Sequence, residues 1–235
     1  MAVNRSQCGL RRHRWRESTL FLAFCVAVAT FQPAGLQAQD PASAAFATTD
    51  AAASAPAPPL PGRELVAALR RGGYVIYLRH TSTDFGTNDD AMTSYADCSK
   101  QRNLTDRGRA EARAIGAALR ELQIPVGAIL ASPYCRTLET GRLVFGEPKA
   151  SLAVRGGPAT PENPERYAEL RKILATPIKG GTNTAIASHG NPYFGVMGPP
   201  YLAEGEAAII EPLGDGRFKL IARVRKDEWP GLLAP

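Results

Sequence analysis

The chain has 235 residues, 44% hydrophobic and 21% charged, enough for one globular domain with segments to spare. Its formal charge of +6 looks basic, but Arg5, Arg11, Arg12, Arg14 and Arg16 against Glu17 place +4 of it in residues 1–38. The rest holds no long basic run and no aromatic-basic interleaving, which argues against a nucleic-acid partner.

The first segment reads as an export signal over 1–38. Its arginines precede an apolar run, Leu20 to Ala29, too short to span a bilayer, and a small-residue exit at Leu36-Gln37-Ala38. Cleavage there leaves no stable membrane insertion and a periplasmic or secreted product; an uncleaved anchor is the alternative. Residues 39–61 are rich in Ala, Pro, Ser and Thr, a composition that buries no core and reads as a disordered linker. The folded domain is expected over 62–235.

Within it, Leu65, Val66, Ala68 and Leu69 mark one face of a helix that Gly72-Gly73 stops. Tyr74 to Leu78 is a continuous apolar run, a buried strand, followed by a polar loop to about residue 103. Thr105 is placed to cap a helix with apolar positions at Ala112, Ile115, Ala118, Leu119 and Leu122. A strand follows over Pro125 to Ala131, then a helix over 133–145 with Pro133 in its first turn, and another over 164–175. Residues 183–187 form a strand, and Ala207 to Pro212 with Phe218 to Val224 a terminal hairpin around Gly214-Asp215-Gly216. Strands alternating with helices predict an α/β three-layer sandwich with a mostly parallel central sheet.

Of three histidines, His13 lies in the export segment, and His80 and His189 both follow strand-like runs. Strand C-termini in such sheets are where ligands bind. Arg79 precedes His80, and Arg136 falls just after the second strand, at a helix start. An imidazole nucleophile flanked by guanidinium forks is what phosphoryl transfer through histidine needs.

Four blocks carry a family resemblance: Leu78-Arg79-His80-Thr81-Ser82-Thr83, Leu104-Thr105-Asp106-Arg107-Gly108, Ser132-Pro133-Tyr134-Cys135-Arg136-Thr137-Leu138-Glu139-Thr140 and Ser188-His189-Gly190-Asn191. In order and context they resemble the histidine phosphatase (phosphoglycerate mutase-like) superfamily over about residues 63–225. The resemblance implies a phosphoglycerate mutase-like fold, His80 as the phosphorylated nucleophile, and Arg79, Arg136 and His189 as the phosphate pocket. It adds Thr83 and Asn191 as substrate-binding residues. Thr81 replaces the family's usual glycine, a departure that leaves the loop geometry open.

The proton donor has no match to the family's pattern. Glu204 and Glu206 lie two apart and would face one side of an extended chain, with Glu206 the first choice; Asp84 and Asp106 are the alternatives. Tyr134 and Tyr193 are placed either at the pocket or in the core. After export, Cys98 and Cys135 remain as a pair: a disulfide, or two separate, partly buried thiols. A bond would pin the polar loop beside the pocket. No metal-ligand spacing is visible and no cofactor is expected. The expected activity is an exported, metal-independent phosphomonoesterase acting on a small phosphorylated substrate. A catalytically weak phosphate- or phosphosugar-binding module and a phosphoprotein phosphatase are the alternatives.

Overall fold

The strand that carries Arg79 and His80 lies inside the sheet, and its sequence shows why. In the computed structural model, which describes residues 62–157, 160–161, 163 and 165–233, β1 (Val75–Arg79) is flanked by β4 (Asn183–Ser188) and β5 (Ala207–Gly214). Val75, Ile76, Tyr77 and Leu78 are all buried, as a strand covered on both faces requires. The export segment and the linker lie outside the described residues.

The six-stranded sheet runs β3-β2-β4-β1-β5-β6, with β2 (Val126–Ala131), β3 (Lys149–Ala150) and β6 (Arg217–Val224). The β3-β2, β2-β4 and β4-β1 pairings are parallel, and the terminal hairpin adds β5 and β6 antiparallel. The sheet is therefore mostly parallel, as expected. The hairpin turns through Asp215 and Gly216, both at positive φ (51° and 74°), the backbone that a two-residue turn between twisted strands demands.

Alternation along β1 divides the core. Ile76 and Leu78 pack with Leu65, Val66 and Leu69 of α1 (Gly62–Arg71) and Ile115 and Leu119 of α2 (Asp106–Glu121). Val75 and Tyr77 pack with Leu170 and Leu174 of α4 (Ala168–Ala175) and Tyr193 of α5 (Gly190–Met197). Helices thus cover both faces, which makes the three layers. Trp229 is fully buried in the first cluster, and Tyr193 belongs to the second, so it is a core residue.

Local signals and structure agree at α2, where Thr105 Oγ1 accepts the Gly108 N–H at 3.0 Å. They differ at three places. Helix α3 (Cys135–Val144) starts at Cys135, because the Ser132 N–H still pairs with the Ala187 carbonyl and holds the chain to the sheet. Helix α4 starts at Ala168, after a turn at 165–167. Strand β3 has two exposed residues and no apolar pattern to announce it.

Candidate active site

Parallel register brings the two histidines together. Arg79 is paired with Ser188, so His80 and His189 leave β1 and β4 side by side, with the His80 N–H on the Ser188 carbonyl at 2.9 Å. Their ring centroids are 5.4 Å apart. From the other neighbour of β4, Ser132 follows β2 and brings its Oγ to 2.8 Å from His189 Nε2. Tyr77 braces the junction from below, donating its hydroxyl to the His189 carbonyl at 2.8 Å.

His80 Nδ1 lies 3.0 Å from the Thr81 carbonyl oxygen. A carbonyl only accepts, so Nδ1 carries the proton and Nε2 keeps its lone pair. Burial lowers the His80 pKa to about 3, and the nearby Arg136, Arg79 and Arg102 push the same way. His189 is lowered as well, by burial and then by His80 and the same arginines. Both rings are neutral near pH 7. Thr81 fits its glycine-type position without strain: among described non-glycine residues only Gln123 and Asp215 have positive φ.

A cavity of about 270 Å³ opens on these rings, lined by Arg79, Arg102 and Arg136, with Tyr134 and Tyr201 as walls. Asn191 and Gly190, at the N-terminus of α5, line it too, and add the amide end of a helix whose first turn has no side-chain cap. The Arg79 Nη1 is held by the Leu202 carbonyl at 2.6 Å, and its guanidinium packs on the Tyr201 ring. Arg136 is almost fully buried, and its Nε has no hydrogen-bond partner, an unusual state for a buried guanidinium and one that an anionic oxygen would relieve. A larger groove of about 480 Å³ beside α4 and the 214–216 turn collects no histidine, so size alone does not locate the chemistry.

Arg79, His80, Arg136, His189 and Asn191 thus share one cavity. The other candidates do not. Thr83 is buried behind His80, and its hydroxyl donates to Glu204 Oε1 at 2.6 Å, so Thr83 holds a carboxylate and not a phosphate. Glu204 and Glu206 do not share a side. Gly205 between them sits at φ 76°, a turn that a side chain would strain, with its N–H on the Arg79 and His80 carbonyls. Glu204 is left facing His80, its Oε1 3.7 Å from Nδ1, while Glu206 pairs with Arg223 on β6 at 2.7 Å. The expectation of Glu206 rests on an extended backbone, which the turn at Gly205 breaks. Asp84 accepts the Gly86 N–H in an exposed turn, and Asp106 is an exposed partner of Arg109. Among the described residues no cluster of His, Cys, Asp or Glu is arranged to hold a metal.

Several residues of the site had no motif to mark them. Asp89 lines the cavity and accepts from Arg136 Nη1 at 3.0 Å and from the Arg102 N–H at 2.9 Å. Gly156 lies so close to His189 that an added Cβ would sit 3.0 Å from its Cδ2, which accounts for a glycine there. The loop that presents Asp89 and Arg102 is tied down twice. Cys98 and Cys135 form a disulfide, and Gln101 accepts the Cys135 N–H at 2.9 Å through its side-chain oxygen.

The family model of the histidine phosphatase superfamily (branch 1) matches residues 75–157. A curated relative, the acetyl-coenzyme A synthetase of Mesorhizobium japonicum, is 30% identical over 103 residues, 35% of this chain and 15% of that protein. The chain therefore spans a small part of the curated relatives it matches. Among solved structures, the protein histidine phosphatase SixA complexed with tungstate aligns at 17% identity and a TM-score of 0.46, covering 66% of this chain and 98% of that one. Bacillus stearothermophilus YhfR aligns at 18% identity and a TM-score of 0.43, covering 63% and 94%. The family match lies on the strand, loop and helix that carry His80 and Arg136, and it identifies residues 75–157 with the histidine phosphatase superfamily.

Proposed function

We propose that the protein is an exported phosphomonoesterase, independent of metal, that transfers a phosphoryl group to His80 Nε2 and then to water. One observation carries the reading: the His80 lone pair is fixed by the Nδ1 contact to Thr81 at the floor of a cavity with three guanidinium groups. In the first half-reaction Nε2 bonds to phosphorus and the ester oxygen departs as the alcohol. In the second, water bonds to phosphorus, the N–P bond breaks and inorganic phosphate leaves.

The arginines offset the charge of the equatorial oxygens, the role that preorganised cations play in phosphoryl transfer. Phosphorylation at Nε2 leaves the ring cationic while Nδ1 keeps its proton. Glu204, 3.7 Å from Nδ1, is set to stabilise that charge. The small cavity favours a small phosphorylated substrate. Supporting export are the arginine-then-apolar composition of residues 1–38 and the Cys98–Cys135 disulfide, a bond that persists in oxidising compartments.

The test is hydrolysis of para-nitrophenyl phosphate by purified mature protein with excess chelator, beside His80→Ala. Turnover that survives the chelator and falls by about four orders of magnitude or more in the variant is expected. Equal activity in both proteins would displace His80 as nucleophile. Phosphate binding without turnover would support the binding module.

A further inference from the structure

We propose that Asp89 is the acid that protonates the departing alcohol and the base that then takes a proton from the attacking water. The assignment rests on the phosphohistidine reading above and supplies the group it lacks. An alkoxide is a poor leaving group, so the ester oxygen needs a proton as its bond to phosphorus breaks. The donor must reach the cavity from a side other than that of the His80 ring and its Nδ1 contacts.

The carboxylates around His80 divide sharply by that criterion. Glu204 is on the Nδ1 side, committed to the Thr83 hydroxyl and facing the imidazole itself. Glu206 is bound by the Arg223 fork. Glu111 is bound by Ser82 and Lys226. Among the described residues Asp89 is the one acid that lines the cavity.

Its two oxygens are held differently. Oδ1 accepts from Arg136 Nη1 and the Arg102 N–H, while Oδ2 has no hydrogen-bond partner among the described residues. The side chain is 28% exposed, so it exchanges protons with water. One oxygen anchored and one free is the arrangement that lets a carboxyl deliver a proton to a fixed place. The anchor is Arg136, the guanidinium that the phosphate itself is expected to bind, so the free oxygen lies at the edge of the phosphate site. The monoester enters as its monoanion, and the free oxygen receives the proton that it carries. That proton goes to the ester oxygen as the P–O bond breaks and the N–P bond forms. In the second half-reaction the carboxylate takes a proton from water as its oxygen bonds to phosphorus and the N–P bond breaks. It then passes that proton to the departing phosphate, which leaves as the monoanion, and the site returns to its starting state.

The position is built. Asp89 and Arg136 are 47 residues apart, and the loop between them is tied to the start of α3 by the Cys98–Cys135 bond and by Gln101. A merely structural Asp89 would steady Arg136 and serve every substrate alike.

The experiment compares two esters that differ in their need for a proton. Nitrophenolate leaves from para-nitrophenyl phosphate without one, whereas ethoxide does not leave unprotonated from ethyl phosphate. For Asp89→Asn we expect kcat/KM, which reports the phosphorylation step alone, to fall by about 100- to 1,000-fold on ethyl phosphate and by less than about tenfold on the nitrophenyl ester. Asp89→Glu, which keeps the carboxyl, should recover a large part of the ethyl phosphate rate. An equal loss on both esters, expressed as a raised KM, would mean that Asp89 only steadies Arg136 and would overturn the assignment. If wild-type protein turns over neither ester, the phosphatase reading itself fails and takes this assignment with it.

Discussion

The floor and the rim of the cavity are held by different forces. The floor, Arg79, His80 and His189, follows the two central parallel strands, and the β1–β4 ladder fixes its geometry through backbone hydrogen bonds. The rim, Asp89 and Arg102, comes from a loop with little regular structure, held by one disulfide, one buried glutamine and one ion pair to Arg136. The proposed nucleophile is thus placed on the rigid part. The groups that meet the rest of the substrate sit on a segment whose shape depends on a few side chains. The difference predicts that damage to the rim lowers stability and slows some esters far more than others, while damage to the floor abolishes turnover of all.

The largest effect expected outside the nucleophile comes from cutting the rim loose. Replacing Cys98 and Cys135 together with serine removes a cross-link over a sequence separation of 37. That should cost about 4 kcal/mol of stability on the chain-entropy account. Urea unfolding of the two proteins measures it, and a loss under about 1 kcal/mol would show that the remaining contacts hold the loop unaided.

Next comes the pair behind the floor. Glu206→Ala breaks two 2.7 Å charge-assisted bonds from Arg223 and leaves its guanidinium only the Pro200 and Tyr201 carbonyls, at an expected cost of about 2 kcal/mol. Turnover per folded molecule should be unchanged, and a drop in kcat at equal folded fraction would return Glu206 to the reaction. Glu204→Gln should do the reverse. It keeps the Thr83 contact but removes the charge beside Nδ1, so kcat should fall by about 10- to 100-fold with KM and melting temperature little changed. A raised KM with kcat intact would refute its role toward the phosphorylated ring.

The smallest effect is on pH dependence. An unfolded histidine titrates near 6.5, whereas burial lowers His80 to about 3 and lowers His189 too. Between those limits the unfolded chain binds more protons, so stability rises with pH there. The contribution is complete above about pH 6.5 and is lost as pH falls toward 3. The melting temperature should decline across this window, and less steeply in His80→Asn. An identical slope in the two proteins would mean that His80 is not held neutral by burial.

Much of the floor was legible from the chain. The apolar run before Arg79-His80, the second run before His189 and the Thr105 cap are local patterns, and local patterns report strands, helix starts and the residues at their ends. The rim was not. Asp89 and Arg102 sit in a polar loop without periodicity, and nothing near them in sequence announces Arg136 as their partner. The Thr83 hydroxyl turns to a carboxylate 121 residues away, a contact that no local pattern reports. Choosing between Glu204 and Glu206 needed the conformation of Gly205, which two carbonyls of β1 and its continuation impose from across the sheet.

By itself the sequence determined the α/β pattern, the family resemblance of its motifs and the strand-end placement of Arg79, His80 and His189, because each depends on neighbours a few positions away. Only the tertiary structure decided which carboxylate faces the imidazole, which one lines the cavity, and how the two cysteines pair. Those outcomes depend on contacts between residues dozens of positions apart, and such contacts exist only once the sheet has brought its strand ends together.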